Sequence, residues 1–392
     1  MRKRTIWASA LAAATLAIGL AAPPANAAVP VASATQVSPS QDLVDQLVAQ
    51  LPAMREQVAA TRARLGLDDS PLREATLKAI DPTQYECSTT PPPVVTAITA
   101  GIANWTFEQR LAAIYVLLFD LPMTEAVYFP TPGPYTFGAR GAYTTKATET
   151  FRDLRNFWDI KSDDIQLVPA HGRMLLDTAR VTKVFTMFYG LPQTASANTA
   201  DFIAAQVNTP TFNYGDAPIF TFNAYANSME GQTLPGIGAV PDRIVLGDGV
   251  LDGFALVGLS DVTAQAILAH EFGHHIQFED GLFASVLTGP EATRRTELMA
   301  DAFGSYFLTH ARGAAMNWKR VEQFGQTFYQ VGDCGFTANG HHGTPNQRLR
   351  TALWAYGVAD AARPQGHILP SLSFDTLFEQ ALPQLVAPDA TN

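Results

Sequence analysis

The chain of 392 residues contains little cysteine, little positive charge and few charged residues of any kind. Only 16% of its residues are charged and 47% are hydrophobic, which excludes an intrinsically disordered chain and favours a well-packed one. The formal net charge is −10, and no basic stretch follows the first four residues. We therefore expect no nucleic-acid partner, because binding to phosphates requires a basic surface.

The chain contains only two cysteines, Cys87 and Cys334. Two thiols are too few for a four-thiolate zinc site. If the protein is exported, an oxidising compartment favours a disulfide between them, and we predict that bond. It would close a loop of 247 residues (334 − 87). The chain-entropy model gives such a bond roughly 5 kcal/mol of stabilisation as an upper figure. Two separate buried thiols are the alternative.

The N-terminus has the three parts of a secretory signal peptide. Basic residues at 2–4 precede an apolar run from Ile6 to Leu20, and residues 25–27 fit the small-x-small cleavage pattern. The apolar run is short for a membrane span. We expect residues 1–27 to be removed and the mature protein, with a net charge of −13 (−10 − 3), to be secreted, periplasmic or in the cell envelope. We find no second long apolar stretch and expect no stable membrane insertion after cleavage; an uncleaved anchor is the alternative.

The remaining chain predicts an α+β fold that is predominantly helical. Residues 28–40 are expected to form a flexible leader, and residues 41–200 a helical N-terminal region. In that region Pro52 should kink or split the first helix, and a buried helix should end at Leu121. The boundary near residue 200 is soft, because the regions on either side can share one core.

Residues 201–365 predict a second region that contains a small β-sheet. "APIFTFNAYAN" and "DRIVLGDGVL" are interpreted as strands, the second ended by glycines. Three helices are expected at 261–280, 291–311 and 346–362. Residues 366–392 are interpreted as a C-terminal extension.

The stretch "AILAHEFGHHIQFED", residues 266–280, carries the strongest chemical signal. Residues four apart on a helix differ by about 40° in direction and about 6 Å in height. His270 and His274 therefore point two imidazoles into the same space, as zinc requires. Glu271 lies at the edge of that face, as in the H-E-x-x-H arrangement, where the glutamate is a general base. A core helix with incidental histidines is the alternative. His275 is expected to contact a neighbouring element or solvent.

A catalytic zinc site has three protein ligands, so a third is expected. Asp280 occupies the final position of an extended H-E-x-x-H-x-x-G-x-x-H/D motif. However, Gln277 replaces the glycine that would let the chain leave the helix. We favour Glu297 in "TELMADAFGSYF", because Asp301 four residues later can hold the second ring nitrogen of a ligand histidine. A surface Glu297–Asp301 pair is the alternative. The remaining carboxylate candidates are Glu279 and Glu291.

A third segment, "GHHGTPNQRLRTALWAYG", offers donors for a developing oxyanion. We take His342 as the leading candidate, with His341 and Arg348 as alternatives. Arg348 is equally well explained as an ion-pair partner of Asp301, beside the ligands. Thr344 is expected to cap the following helix.

The segments "HEFGHHIQ", "ELMADAFGSYF" and "HHGTPNQRLR", in this order, resemble the neutral zinc metallopeptidases of bacteria, which are gluzincin-like HExxH peptidases. The resemblance implies His270, His274 and Glu297 as ligands of one Zn²⁺ per chain and Glu271 as the base. It covers roughly residues 215–360 and implies an HExxH-helix zinc-peptidase catalytic domain, which we place at residues 201–365, after the helical N-terminal region. The family's glutamine–aspartate step is here Ala300-Asp301, so the aspartate is kept. No substrate carries over.

The leading functional prediction is an exported zinc metallopeptidase in which Glu271 activates a zinc-bound water against a peptide bond. Its partner would be a peptide or protein substrate, which could lie as an extended strand along "APIFTFNAYAN". Two alternatives stay open: a zinc hydrolase of another amide, and a non-catalytic exported binding protein on a metallopeptidase fold. The intact Glu271 argues against the second, because a protein without catalysis does not need the base.

Overall fold

The computed structural model describes residues 39–67, 71–80, 92–229, 232–328, 343–363 and 366–387. Within these residues the fold is predominantly helical with a small sheet, which confirms the α+β class. The signal peptide, most of the leader, both cysteines, His341 and His342 lie outside the described residues. The disulfide and the oxyanion donor His342 therefore stay predictions.

The elements follow in chain order. The helices are α1 (Gln41–Leu65), α2 (Pro71–Ile80), α3 (Pro93–Thr99), α4 (Phe107–Leu118), α5 (Leu121–Tyr128), α6 (Thr144–Phe157), α7 (Thr178–Lys183), α8 (Gln193–Val207), α9 (Asp248–Ala255), α10 (Thr263–Glu279), α11 (Pro290–Thr309), α12 (Trp318–Phe328), α13 (Pro345–Ala361) and α14 (Ser371–Leu385). The strands are β1 (Gln166–Ala170), β2 (Ala224–Asn227), β3 (Thr233–Leu234), β4 (Gly238–Ala239) and β5 (Arg243–Gly247).

A three-stranded sheet in the order β1-β5-β2 separates two hydrophobic clusters. β1 runs parallel to β5, with Val168 opposite Val245, and β2 runs antiparallel to it, with Tyr225 opposite Val245. Alternate side chains of a strand point to opposite faces. Ile244 and Leu246 therefore pack with α10 and α11, which we call the α10 side, whereas Val245 and Tyr225 pack with α4 and α5, the α4 side.

The sheet joins the two regions that the sequence analysis separated at residue 200. β1 belongs to the first region and its partner β5 to the second. Residue 200 itself lies inside α8. In addition, α14 from the predicted C-terminal extension packs against α11 and α13. A division at residue 200 would thus cut a helix and separate paired strands.

Two helix predictions in the N-terminal region need correction. Of the kink or split predicted at Pro52, the split does not occur, because α1 runs continuously through this residue. The buried helix predicted to end at Leu121 ends at Leu118, where Asp120 adopts a left-handed backbone conformation (φ 47°). Pro122 then lies in the first turn of α5, where its missing N–H costs no helical hydrogen bond.

The two predicted strands are shorter than expected. In "APIFTFNAYAN" only Ala224–Asn227 is a strand, and Pro218–Thr221 forms a 3₁₀ turn. In "DRIVLGDGVL" the strand ends at Gly247, and Asp248 already begins α9. β2 lies at a sheet edge, as a substrate-pairing strand would require, but all four of its residues are buried.

One segment of the described residues, Phe107–Tyr128, is long and apolar enough to cross a membrane, so the expectation of no second long apolar stretch was wrong. Its most apolar stretch of 18 residues is 94% buried inside the fold. The segment comprises α4 and α5, which pack in the cluster on the α4 side. Burial in this core accounts for its apolar composition.

Candidate metal centre

The candidate centre lies between α10 and α11, which pack closely because glycine stands at both contacts. A Cβ at Gly273 would lie 2.9 Å from the Cα of Ala300, and a Cβ at Gly304 would lie 3.1 Å from the backbone of Ala269. No real Cβ fits at the first distance without a shift of the backbone. The missing side chains therefore let α11 carry its carboxylates up to the histidines of α10.

His270, His274 and Glu297 converge at this contact, and all three are almost completely buried. The Nε2 atoms of the two histidines are 3.2 Å apart, and each lies 3.5 Å from a carboxylate oxygen of Glu297. A tetrahedral ion with bonds of about 2.0–2.1 Å holds its ligand atoms about 3.3–3.4 Å apart. The group thus has the spacing of metal ligands and could hold a metal ion.

Asp301 and Arg348 support His270 from behind. The Nδ1 of His270 lies 2.9 Å from an oxygen of Asp301. Arg348 donates to both oxygens of Asp301, from Nε and Nη2, each at 2.7 Å. Because this carboxylate can only accept, Nδ1 of His270 carries the hydrogen and Nε2 faces Glu297. Arg348 therefore has the ion-pair position that the sequence analysis gave as the alternative to an oxyanion donor.

The pKa values of the two histidines are shifted in opposite directions. Burial disfavours the charged ring of His270, but its contacts with Asp301 and Glu297 outweigh burial and raise its pKa to about 9. Burial dominates at His274 and lowers its pKa to about 3. Nε2 of the protonated His270 ring can thus donate a hydrogen bond to Nε2 of the neutral His274 ring. A bound metal ion would displace the proton of this hydrogen bond.

Glu271 is a buried acid whose charge this centre compensates only in part. Its side chain is completely buried, and neither carboxylate oxygen accepts a hydrogen bond of normal geometry from a described residue. Burial raises its pKa well above the ordinary value, with His270, the backbone of Ala226 and Arg348 acting in the opposite direction. An unsatisfied buried carboxyl group is costly, so a polar or charged ligand is expected beside it.

The other candidate residues lie elsewhere. α10 continues to Glu279, as the absence of glycine at 277 predicted, and Asp280 approaches Ser371 instead of the histidines. His275 contacts a neighbouring strand, where its Nε2 donates to the backbone carbonyl of Arg243. Glu291 pairs with Arg294. None of these residues belongs to the metal-ligand group found among the described residues.

Gln277 is the residue of this centre that sequence reasoning missed. Its Oε1 lies 3.0 Å from Nδ1 of His274, and its Nε2 donates to the backbone carbonyl of Thr296. In the sequence this position stands out only as the missing glycine of the extended motif. The spacing of three residues after His274 on a helix was the signal that could have identified it.

A small cavity touches the centre behind His270 and Asp301. Its volume is about 20 Å³, and Ser305, Phe324 and other residues of α10, α11 and α12 line it. A space of this size has room for about one water molecule. It is therefore not a substrate cleft.

Comparison with protein-family models, with curated proteins and with solved structures finds no match to this chain. The resemblance to zinc metallopeptidases thus rests on the three quoted segments. The geometry independently supports a buried group of two imidazoles and one carboxylate that could hold a metal ion.

Proposed function

We propose that the chain is an exported zinc-dependent metallopeptidase that hydrolyses peptide bonds in a peptide or protein substrate. The observation that carries this proposal is the buried convergence of His270, His274 and Glu297, with the partly compensated carboxyl group of Glu271 next to the first histidine. This is the donor set of an H-E-x-x-H site with a carboxylate third ligand. The signal-peptide pattern of residues 1–27 supports export.

Zinc is the metal that best fits this donor set. Two imidazoles and one carboxylate also suit non-haem iron, which uses octahedral geometry. Ligands at right angles with bonds of about 2.1 Å would be about 3.0 Å apart. The Nε2 atoms of His270 and His274 are 3.2 Å apart, between the two values, so the proposal of zinc is based on the H-E-x-x-H spacing of the donors.

Each residue of the centre has a separate role in the proposed reaction. Zinc held by the three ligands would supply Lewis acidity towards a carbonyl oxygen and a water molecule. Glu271 takes the proton of the attacking water and delivers it to the leaving amine as the C–N bond breaks. Positive charge at the ligands would lower the pKa of Glu271, which keeps this base ionised. Asp301 and Arg348 hold His270 in its ligand orientation.

Metal analysis and peptide cleavage together test the proposal. The purified mature chain should contain about one zinc per molecule and cleave peptides in an unbiased peptide mixture. A chelator should abolish cleavage, and added zinc should restore it. A chain that takes up no transition metal at neutral pH would refute the zinc site. Zinc uptake without any peptide cleavage would refute the peptidase and favour the two alternatives, a zinc hydrolase of another amide and a non-catalytic binding protein.

A further inference from the structure

The side chain of Gln277 connects the second histidine to the helix that carries Glu297. Gln277 lies one helical turn after His274 and is completely buried. Its Oε1 is 3.0 Å from Nδ1 of His274, and its Nε2 donates to the carbonyl of Thr296 at 2.7 Å. Thr296 directly precedes Glu297 on α11. One amide group thus contacts a proposed ligand on α10 and the backbone beside a proposed ligand on α11.

The carbonyl of Thr296 determines which way the amide points. A carbonyl oxygen can only accept, so the amide group that faces it must be the NH₂. The amide oxygen of Gln277 then faces His274, and because this oxygen can only accept, Nδ1 of His274 must carry a hydrogen. In the neutral ring the lone pair is then on Nε2, the atom that faces His270 and Glu297. This is the tautomer that can bind a metal through Nε2.

The two histidines are therefore held by different chemistry. His270 is held by the carboxylate of Asp301, whose charge is paired with Arg348. A second carboxylate behind His274 would add another buried negative charge near Glu297, without an arginine of its own. A neutral amide supplies the acceptor without that charge, which is costly to bury unpaired.

We propose that Gln277 is a positioning residue that fixes the metal-binding tautomer of His274 and aligns this histidine with the segment carrying Glu297. The inference rests on the metal site of the proposed function but does not require peptide cleavage. Loss of such an outer partner typically costs about 10–100-fold in metal affinity.

A variant at position 277 tests the proposal through zinc affinity, measured by competition with a chromophoric chelator. Gln277→Leu keeps a similar volume and removes both hydrogen bonds, so it should bind zinc about 10–100-fold more weakly. Gln109→Leu is the matched control, because this buried glutamine caps α4 and belongs to the α4 side; it should bind zinc as the wild type does. Equal affinity in Gln277→Leu and wild type would overturn the proposal.

Nitrogen-15 NMR of histidine rings in the zinc-free wild type tests the tautomer without any change at position 277. His274, assigned by the resonance that His274→Ala removes, should show hydrogen on Nδ1. Hydrogen on Nε2 alone would overturn the proposal, even if Gln277→Leu does not fold. Correct tautomer and zinc affinities in a chain that cleaves no peptide would support Gln277 while refuting the peptidase.

Discussion

Two buried polar centres lie on opposite sides of the three-stranded sheet. On the α4 side, the carboxyl group of Asp120 is buried and faces the positive charges of Arg73 and Arg62. Asn223 donates to it at 3.4 Å. On the α10 side, two imidazoles and Glu297 converge, and Glu271 beside them accepts no hydrogen bond of normal geometry from a described residue.

The acids of both centres are buried. The centres differ in how far positively charged side chains compensate the charge of those acids. Burial raises the pKa of Asp120 to about 6, and Arg73, Arg62 and Asn223 oppose this rise. The acid thus faces two cations from its own chain, which offset part of the cost of its burial.

On the α10 side three acids, Glu271, Glu297 and Asp301, face two cations, Arg348 and the protonated ring of His270, and Arg348 pairs mainly with Asp301. A buried centre that its own chain leaves short of positive charge is where a cation from outside is expected.

The largest effect should come from Glu271→Gln, which removes the base from the centre on the α10 side. Peptide cleavage should fall by about 10²-fold or more, the range of general-base catalysis. Folding and zinc content should be kept, because Glu271 is not a proposed ligand. Cleavage rates at saturating zinc, with metal analysis of the same preparation, measure this. Full activity in Glu271→Gln would contradict its proposed role.

The second prediction separates the proposed ligand from its carboxylate neighbours. Asp301→Ala should lower zinc affinity about 10–100-fold, because it removes a residue that orients a ligand. Glu297→Ala should lower the affinity further, because it removes a ligand itself. Asp280→Ala should leave affinity nearly unchanged, because Asp280 approaches Ser371 at the end of α10. Chelator competition on the three variants decides the order. Loss of zinc in Asp280→Ala and its retention in Glu297→Ala would favour the extended motif instead.

The third prediction concerns the centre on the α4 side. Asp120→Ala removes a buried carboxylate that faces two arginines and places alanine in a left-handed backbone conformation. Arginines left without this carboxylate and alanine held in a strained conformation should together cost about 1–3 kcal/mol. Urea unfolding should show a loss of that order, while zinc affinity stays at the wild-type value. A variant with normal stability and weakened zinc binding would remove the contrast between the centres.

The parts of the site that follow from local spacing were predictable from the sequence. Helical periodicity alone brings His270 and His274 to one face, and the predicted helices 261–280, 291–311 and 346–362 are confirmed as α10, α11 and α13. Thr344 caps α13 as expected, with Gln347 completing a capping box.

The parts that depend on contacts between distant segments were not predictable in this way. β1 was missed because its pairing with β5 joins residues about 75 positions apart, and short strands carry weak patterns of their own. The helix breaks before α5 because Asp120 adopts a left-handed backbone conformation. This conformation is unfavourable for a residue other than glycine, so tertiary packing must impose it. Gln277 acquires its role only through Thr296 on another helix.

The smallest effect should come from a third ionisable pair, which joins the ends of β1 and β5. Nδ1 of His171 lies 2.7 Å from Asp248, and this hydrogen bond raises the pKa of His171 despite partial burial. The folded state therefore holds the proton more tightly than the unfolded state. The resulting stability is fully present below the unfolded pKa of about 6.5 and is lost as pH rises through the folded pKa.

His171→Ala should accordingly destabilise the protein more at about pH 6 than at about pH 8.5. Because 40% of the His171 side chain is exposed, solvent screening limits the difference to less than about 1 kcal/mol. Urea unfolding of wild type and variant at both pH values measures it. His367→Ala is the control, because the hydrogen bonds of His367 to described residues run through its backbone carbonyl. An equal loss at both pH values would mean that the His171–Asp248 contact stabilises the fold only as a neutral hydrogen bond. The positive charge of His171 would then not stabilise the buried carboxylate of Asp248.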